Sequence, residues 1–391
     1  MITNEGDLAA LCARAKEVGF VALDTEFVWE RTYYPAMGVV QVGVGKDECR
    51  VVDATKTDHL APLGELLADP SVVKILHDAE QDLTLLRRLT GASPRNVFDT
   101  QLAAAVVGMP YSVSLRNLVR TVAGVDLAKT ETQSDWLKRP LSEEQMRYAE
   151  DDVRYLPLVR ERLLRRAERK GRVHWMSEEM ASYDDPALYE ERDPAEAFLR
   201  MKGLQRFSHA QRGVAKALCA WREKLARRVD RPRHFLLNDD VMATIILKHP
   251  STLVELAAIK GLPEKVLKRN GNEILEVLDA AKPHTETLPG DVRANDEEVV
   301  SARAELVYAY MKALSLAADL DPVFVAPKAA VRELVLNGPA GGDGAARLVS
   351  GWRAGFLGEG ILAFVRGEAA IALDPANGWP CMRPISKVEA S

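Results

Sequence analysis

Apolar residues in the first hundred positions fall into short runs separated by turn-forming residues. Residues 20–27, 39–44 and 50–53 are rich in β-branched and apolar side chains, which predicts three strands joined by short connections. Residues 72–76 form a fourth apolar run, and residues 79–89 space their apolar side chains as a helix does. Strands in a meander, followed by strands joined through helices, predict an α/β fold with a mixed sheet flanked by helices.

Helical spacing also marks both flanks of this region. The first twenty residues place Leu8, Leu11, Ala15 and Val18 on one helical face. Asp99 and Thr100 follow another short apolar run and are suitable capping residues for a helix that ends near position 107.

The second half of the chain is dominated by helical periodicity. Residues 143–170 predict one long helix, residues 208–281 a small helical bundle, and residues 299–364 a further helical region. Polar, proline-bearing stretches at 177–194 and 282–298 predict connectors, the first as a linker or a loose helical segment. Three prolines interrupt the predicted bundle: Pro232, Pro250 and Pro263.

Composition narrows the class of protein without deciding its function. The chain has 391 residues, too many for one hydrophobic core, and no apolar run approaches the ~20 residues needed to span a bilayer. Its four cysteines contain no CxxC pair, which argues against a disulfide framework or a thiolate zinc site and predicts a cytoplasmic protein. The net charge of -5 leaves nucleic-acid binding open, because local basic patches still bind phosphate.

Asp24 and Glu26 lie two positions apart on the first predicted strand. A strand has a period of two, so both carboxylates project from the same face. Buried together they need a cation, and hard divalent cations prefer such oxygen ligands. An exposed strand edge would carry the same pair without any ligand.

A second group of acids follows the fourth predicted strand. His77, Asp78, Glu80 and Asp82 crowd the start of the helix that follows the fourth strand, where favourable charge against the helix dipole explains Asp78 and Glu80 better than Asp82.

Tyr148 and Asp152 are four positions apart and therefore share one face of the predicted helix at 143–170. A phenol next to a carboxylate is suited to orienting water beside a metal, although an acidic surface helix, with Glu150 and Asp151, has the same appearance.

These segments together resemble a known family. LDTEF at 23–27, HDAEQD at 77–82 and YAEDD at 148–152 are similar to the three exonuclease motifs of the DEDD superfamily, most closely those of ribonuclease D. Further support comes from RTYYPAMGVVQ, FDTQLAA and SDWLKRPLSEEQMRYAEDD, which make the resemblance nearly continuous over 20–155. The resemblance implies an RNase H-like mixed-sheet domain that hydrolyses nucleic acid from the 3′ end.

The resemblance also implies roles for particular residues. Asp24 and Glu26 match the first motif, Asp82 the second, and Tyr148 with Asp152 the third. The four carboxylates would hold two divalent ions, Mg²⁺ or Mn²⁺, and Tyr148 would orient the attacking water. In the histidine subclass the water-orienting residue lies five positions before the last aspartate. Arg147 stands there, so the chain resembles the tyrosine subclass.

A second resemblance covers the predicted helical bundle. Residues 207–262 resemble the HRDC domain, a small all-α nucleic-acid-binding module, and residues 299–364 look like a degenerate second copy. The expected domains are an exonuclease domain at 1–175, a connector at 176–205, an HRDC domain at 206–286, and a second HRDC-like domain with a tail at 287–391. The candidate nucleic-acid contacts are Phe27, Trp136, Lys138, Arg222, Lys224 and Arg228.

The resulting expectation is a monomeric exoribonuclease that trims the 3′ ends of structured RNA such as tRNA precursors and releases nucleoside 5′-monophosphates. Two alternatives stay open at this point. One is a DNA 3′-to-5′ exonuclease of the same superfamily, and the other is a non-catalytic RNA-binding protein that keeps the fold.

Overall fold

The structure of the chain is a computed structural model that describes residues 1–128, 134–285 and 294–385. Its first domain is built on a five-stranded sheet in the order β3-β2-β1-β4-β5. The strands are β1 Phe20–Val28, β2 Ala36–Gly43, β3 Cys49–Asp53, β4 Val73–Leu76 and β5 Val97–Asp99. β2 is antiparallel to both β1 and β3, whereas β4 is parallel to β1 and to β5. The predicted mixed sheet is confirmed.

Seven helices surround this sheet. They are α1 Glu5–Val18, α2 Ala61–Ala68, α3 Glu80–Thr90, α4 Thr100–Val106, α5 Leu115–Ala123, α6 Glu143–Arg154 and α7 Leu156–Arg169. Three of the four residues predicted on the inner face of α1 are buried, whereas Val18 is exposed at its end. Asp99 caps α4 as predicted, because its carboxylate accepts hydrogen bonds from the backbone N–H groups of Gln101 and Leu102.

The single helix predicted over 143–170 is wrong, because the structure has two helices that meet at Tyr155. Pro157 lies in the first turn of α7 and has no N–H to continue the hydrogen-bond ladder of α6. Because of this break, α6 and α7 pack against different parts of the domain. α6 packs against β1, β2 and β3, whereas α7 contacts α4 and α5.

The predicted connector at 177–194 is a folded helical segment. α8 Val173–Ala181 extends into it, and short 3₁₀ helices follow. Glu179 of α8 is only 3% exposed, because its carboxylate accepts hydrogen bonds from the Arg347 and Arg353 guanidinium groups and, at 2.6 Å, from Trp352 Nε1. This segment therefore ties distant parts of the chain together.

The predicted helical bundle is confirmed and has a hydrophobic core separate from that of the sheet. Its helices are α9 His209–Val229, α10 Arg233–Leu236, α11 Asp239–Lys248, α12 Leu253–Ala257 and α13 Glu264–Asp279. Pro232 and Pro263 stand directly before α10 and α13, and Pro250 lies between α11 and α12. Pro232 and Pro263 are thus N-caps, where no N–H group is needed, and Pro250 follows the C-cap of α11.

The last region packs on the first domain. Its helices are α14 Ala294–Ala317, α15 Pro322–Val325, α16 Lys328–Asn337, α17 Asp343–Leu348, α18 Gly351–Leu357 and α19 Gly360–Val365. Their buried residues join the same hydrophobic cluster as the sheet, and Trp352 stacks on Trp175 with ring centroids 4.5 Å apart. The expected domain boundary at 286/287 and part of the connector at 282–298 lie outside the described residues.

An antiparallel hairpin, which no pattern in the sequence predicted, follows these helices. β6 Ala369–Leu373 pairs with β7 Pro380–Pro384 within the segment expected to be a tail. Ala369 is buried, but the outer residues of this short hairpin are not, so its hydrophobic pattern is weak. Among the described residues, no helix is long and apolar enough to cross a membrane.

We predict that Glu179→Ala destabilises the protein by about 3–5 kcal/mol, because two guanidinium groups and an indole N–H lose their common partner in a buried site. Urea denaturation followed by circular dichroism measures the loss. Glu161→Ala is the matched control, since it removes an acid from an exposed pair with Arg165 and should cost less than about 1 kcal/mol. Equal losses in the two variants would contradict a buried network at the domain contact.

Candidate active site

β1 carries Asp24 and Glu26 on one face, beyond the part of the strand that pairs with β4. β4 pairs only with residues 20–22 of β1, whereas β2 follows β1 to its end. Between the two acids, Thr25 points to the other face and is buried. The carboxylates therefore stand at the edge where the parallel strands end, with open space beside them.

α6 brings Tyr148 and Asp152 to this face. Its buried residues Ala149 and Val153 pack toward the sheet, and a Cβ placed on Gly43 would come within 3.2 Å of Val153 Cγ2. This close approach gathers carboxylate oxygens of Asp24, Glu26 and Asp152 within 4.8 Å of one another.

A bidentate ion pair holds the surroundings of Tyr148. Arg139 donates to both oxygens of Asp53, at 2.7 and 2.9 Å, and its Nη1 donates to the backbone oxygen of Trp136 at 2.8 Å. The guanidinium group keeps the pKa of Asp53 well below its usual range. Trp136 in turn packs against Tyr148 with ring centroids 6.1 Å apart. The phenol ring thus packs against a buried indole whose backbone this ion pair holds in place.

Asp82 reaches the site from the first turn of α3. The hydroxyl of Thr25 donates a hydrogen bond to Asp82 Oδ1, which fixes this buried carboxylate beside β1. Asp99 holds the turn before α3 by accepting from the backbone N–H groups of Asp78 and Ala79 at 3.1 and 3.0 Å. Asp82 is not part of the tightest carboxylate group, but its charge still raises the pKa of Asp24 and of Glu26.

The electrostatics of the cluster are unfavourable without a cation. Burial raises the pKa of Glu26 to about 8, with added repulsion from Asp152 and Asp82. Burial also raises the pKa of Asp82 and of Asp152 to about 7. For Asp24, burial and then the charges of Asp82, Asp152 and Glu26 raise the pKa. Like charges this close disfavour ionisation of one another.

A divalent cation fits these donors. Carboxylate oxygens are the ligands that hard cations such as Mg²⁺ and Mn²⁺ prefer. Asp152 Oδ2 is buried and has no hydrogen-bond partner among the described residues, so it needs a positive ligand. Asp24, Glu26 and Asp152 supply the nearest oxygens, with Asp82 beside Asp24.

The neighbouring acids stand outside this cluster. Asp151 lies 2.8 Å from Arg154 Nε, and the carboxylate of Asp78 is absent from the tight cluster. His77 is held between Thr100 Oγ1 and the Val113 backbone oxygen, both 3.0 Å away, and burial lowers its pKa. His77 therefore shapes the wall of the site. Arg147 is exposed on α6.

Two of the residues expected to contact nucleic acid are buried. Trp136 is 3% exposed and is taken up in packing against β2, β3 and α6. Arg222 is 8% exposed, and its Nη1 donates to the Leu237 backbone oxygen at 2.7 Å and to Asp239 Oδ1 at 2.8 Å. For both residues burial contradicts the expected role as a surface contact, because packing and hydrogen bonding occupy the side chains.

The other expected contacts have different surroundings. Lys138 and Lys224 are exposed, and neither side chain makes an ion pair with a described residue. Arg228 is exposed and lies 3.9 Å from Glu273. Phe27 packs partly against the core next to Glu26. Contact with nucleic acid stays a prediction for these four residues.

Two polar residues next to the carboxylates were not predicted from the sequence. Thr25 binds Asp82, and Gln41 lies opposite Asp24 on β2 with a fully buried amide that has no hydrogen-bond partner among the described residues. A single polar side chain within the apolar run at 39–44 was the available signal for Gln41.

The carboxylates line a cleft of about 390 Å³. Besides Asp24, Glu26 and Asp152, its lining includes Tyr148, Leu115, Arg116 and Leu127.

Comparison with known proteins agrees with this architecture. Residues 1–168 match the family model described as 3'-5' exonuclease, and residues 211–278 match the HRDC domain. Ribonuclease D of Desulfotalea psychrophila is 35% identical over 362 residues, which cover 91% of this chain and 96% of that protein. The chain belongs to the ribonuclease D family.

Other relatives support the same assignment. Ribonuclease D of Pseudomonas paraeruginosa is 40% identical over 280 residues, 72% of this chain and 74% of that protein. The crystal structure of Escherichia coli RNase D, an exoribonuclease involved in structured RNA processing, superposes with a TM-score of 0.79 at 27% identity, over 94% of this chain and 98% of that one. The match to the Escherichia coli structure therefore extends over both the exonuclease sheet and the helical regions that follow it.

We predict that Mn²⁺ binding weakens by more than about tenfold when the pH falls from about 8 to about 6. The carboxyl groups must lose their protons to bind a cation, and a pKa of about 8 for Glu26 and about 7 for Asp82 and Asp152 means that protons compete across this range. Titration calorimetry in buffers of different ionisation enthalpy measures the affinity and the protons released. An affinity that does not change with pH would contradict the clustered geometry.

Proposed function

We propose that this protein is a 3′-to-5′ exoribonuclease that trims structured RNA, such as tRNA precursors, by two-metal-ion hydrolysis and releases nucleoside 5′-monophosphates. Membership of the ribonuclease D family supports the reaction class. The observation that carries the mechanism is the convergence of three carboxylates within 4.8 Å at the end of β1, with Asp82 and Tyr148 beside them.

Each residue of the cluster has a distinct place in the proposed reaction. Asp24, Glu26 and Asp152 would hold one divalent cation, because their carboxylate oxygens lie within 4.8 Å of one another. Asp82, whose charge acts on Asp24, would help to hold the second. When bound, the two cations lower the pKa of the attacking water and stabilise the charge that develops on the attacking and leaving oxygens.

Tyr148 orients the water and does not act as a base. Burial and the charges of Asp152, Glu26 and Asp24 raise the pKa of its phenol far above neutral pH, so it keeps its proton. A protonated phenol one helical turn from Asp152 offers a donor and an oxygen lone pair next to the carboxylates. Its contribution is geometric, as expected for a group that positions a nucleophile.

The proposal extends to a monomer acting in the cytoplasm. The four cysteines are unpaired, which suits a reducing compartment. RNA is preferred over DNA as the substrate because the relatives that match most of the chain are ribonucleases and because the helical HRDC domain follows the exonuclease domain.

We predict that Asp24→Asn lowers the rate of nucleotide release about a thousandfold or more, because the variant loses the carboxylate that all other acids surround. Quantifying released mononucleotides measures the rate, and calorimetry should show weaker Mn²⁺ binding by the same variant. Asp151→Asn is the matched control, since its carboxylate pairs with Arg154, and it should stay within about twofold of the wild type. If Asp24→Asn kept nearly wild-type activity, the assignment of the site would be wrong.

We predict a metal-dependent ladder when the protein acts on 5′-labelled RNA with a free 3′-hydroxyl. A blocked 3′ end or added chelator should abolish the ladder, because the reaction starts at the terminal phosphodiester and needs the cations. Matched DNA tests the alternative substrate, and faster cleavage of DNA would contradict an exoribonuclease. A precursor tRNA with a 3′ extension, compared with an unstructured RNA of equal length, tests the proposed physiological substrate.

A further inference from the structure

A cavity of about 940 Å³ lies where the loop after β1 meets the connector and the HRDC domain. Residues 29–35 form the loop between β1 and β2, and Trp29 is three residues beyond Glu26. A chain of three residues spans at most about 11 Å, so the cavity begins close to the active site. Its volume is at the upper end of the range of about 300–1,000 Å³ typical of ligand pockets.

Hydrogen bonds from the HRDC domain hold this loop in place. Asp230 Oδ1 accepts from the backbone N–H groups of Tyr33 and Tyr34, at 3.0 and 3.1 Å. The hydroxyl of Tyr33 donates to Glu223, and the Arg88 guanidinium lies 3.2 Å from the centre of the Tyr34 ring. Tyr33 and Tyr34, which line the cavity, are therefore held in place before a ligand binds, and this lowers the entropic cost of binding.

Most acids that line the cavity are already paired. Glu191 contacts Arg88 and Arg227 at 3.4 and 3.1 Å, and Glu223 lies 3.3 Å from Arg233. Asp239 is paired with Arg222. Glu30 is the exception, since it makes no ion pair with a residue that the structure describes, and it is exposed on the loop. The repulsion these acids could exert on an anionic ligand is thus largely neutralised.

Two arginines of the connector have no acidic partner among the residues that the structure describes. The side chains of Arg192 and Arg200 line the cavity, are exposed, and form no ion pair within the described part of the chain. At the rim, the indole of Trp29 is 66% exposed, which is unusual for a side chain of its size. A flat aromatic surface beside free guanidinium groups offers one site for a base and others for phosphates.

We propose that this cavity binds a nucleotide of single-stranded RNA on the 5′ side of the terminal residue, with its base on Trp29 and its phosphates at Arg192 and Arg200. The inference rests on the proposed exoribonuclease function. Because β1 is extended up to Val28, Glu26 and Trp29 are up to about 11 Å apart, which is the length of about three stacked nucleotides at about 3.4 Å each. RNA shorter than this does not reach the cavity, whereas longer RNA does.

Trp29→Ala and Arg200→Gln, made in the full chain, test the proposal. Both should raise the KM for an eight-nucleotide RNA about tenfold and leave kcat and the hydrolysis of a dinucleotide unchanged, because only the longer RNA reaches the cavity. Arg200→Gln should also reduce the slope of log KM against log salt concentration by about 0.7, the value for one phosphate contact in a single strand. A merely structural role would not produce that change in slope.

Trp379→Ala and Arg206→Gln are the matched controls, since both side chains are exposed and lie outside the cavity, and they should keep the wild-type KM. Wild-type KM for the long RNA in Trp29→Ala and Arg200→Gln, with normal cleavage of the dinucleotide, would overturn the proposed nucleotide site. A wild-type protein that cleaves neither RNA would instead overturn the exoribonuclease function.

Discussion

Repulsion among buried carboxylates is the constraint on which the rest of this structure depends. Asp24, Glu26 and Asp152 are held within 4.8 Å of one another, with Asp82 beside Asp24, and burial strengthens the repulsion. Such an arrangement survives only if the surrounding fold imposes it or a cation neutralises it. The cluster is therefore suited to a divalent cation, since a cation bound there would offset the repulsion among the carboxylates.

The fold imposes this arrangement through contacts that involve no metal. The period of β1 aligns Asp24 with Glu26, and the close packing of α6 on Gly43 sets the height of Asp152. The Arg139–Asp53 pair and Trp136 support Tyr148 from behind. The hydrogen bonds of Arg139 thus help to hold the acids in place against their mutual repulsion. Supporting contacts of this kind commonly fix the side chains of a functional site.

The two helical regions have different relations to the catalytic domain. The C-terminal helices share its hydrophobic core and are joined to it by Glu179, so they belong structurally to the same unit. The HRDC domain has its own core and contacts the catalytic domain through the polar loop after β1. A polar contact of this kind leaves room for a cavity between the domains, whereas a continuous apolar core does not.

Local spacing along the chain was enough to predict the mixed sheet and the helical bundle. It also placed Asp24 and Glu26 on one face of a strand, and Tyr148 and Asp152 on one face of a helix, because strand and helix periods depend only on neighbours in sequence. The choice of Asp82 over Asp78 came from the family motif. The helix break at Tyr155 was not predicted, because the apolar periodicity continues across it. Burial of Trp136 and Arg222, the attachment of the C-terminal helices and the cavity beside Trp29 emerged only in three dimensions. They arise where segments far apart in the chain meet, and no local pattern encodes the distance between such segments.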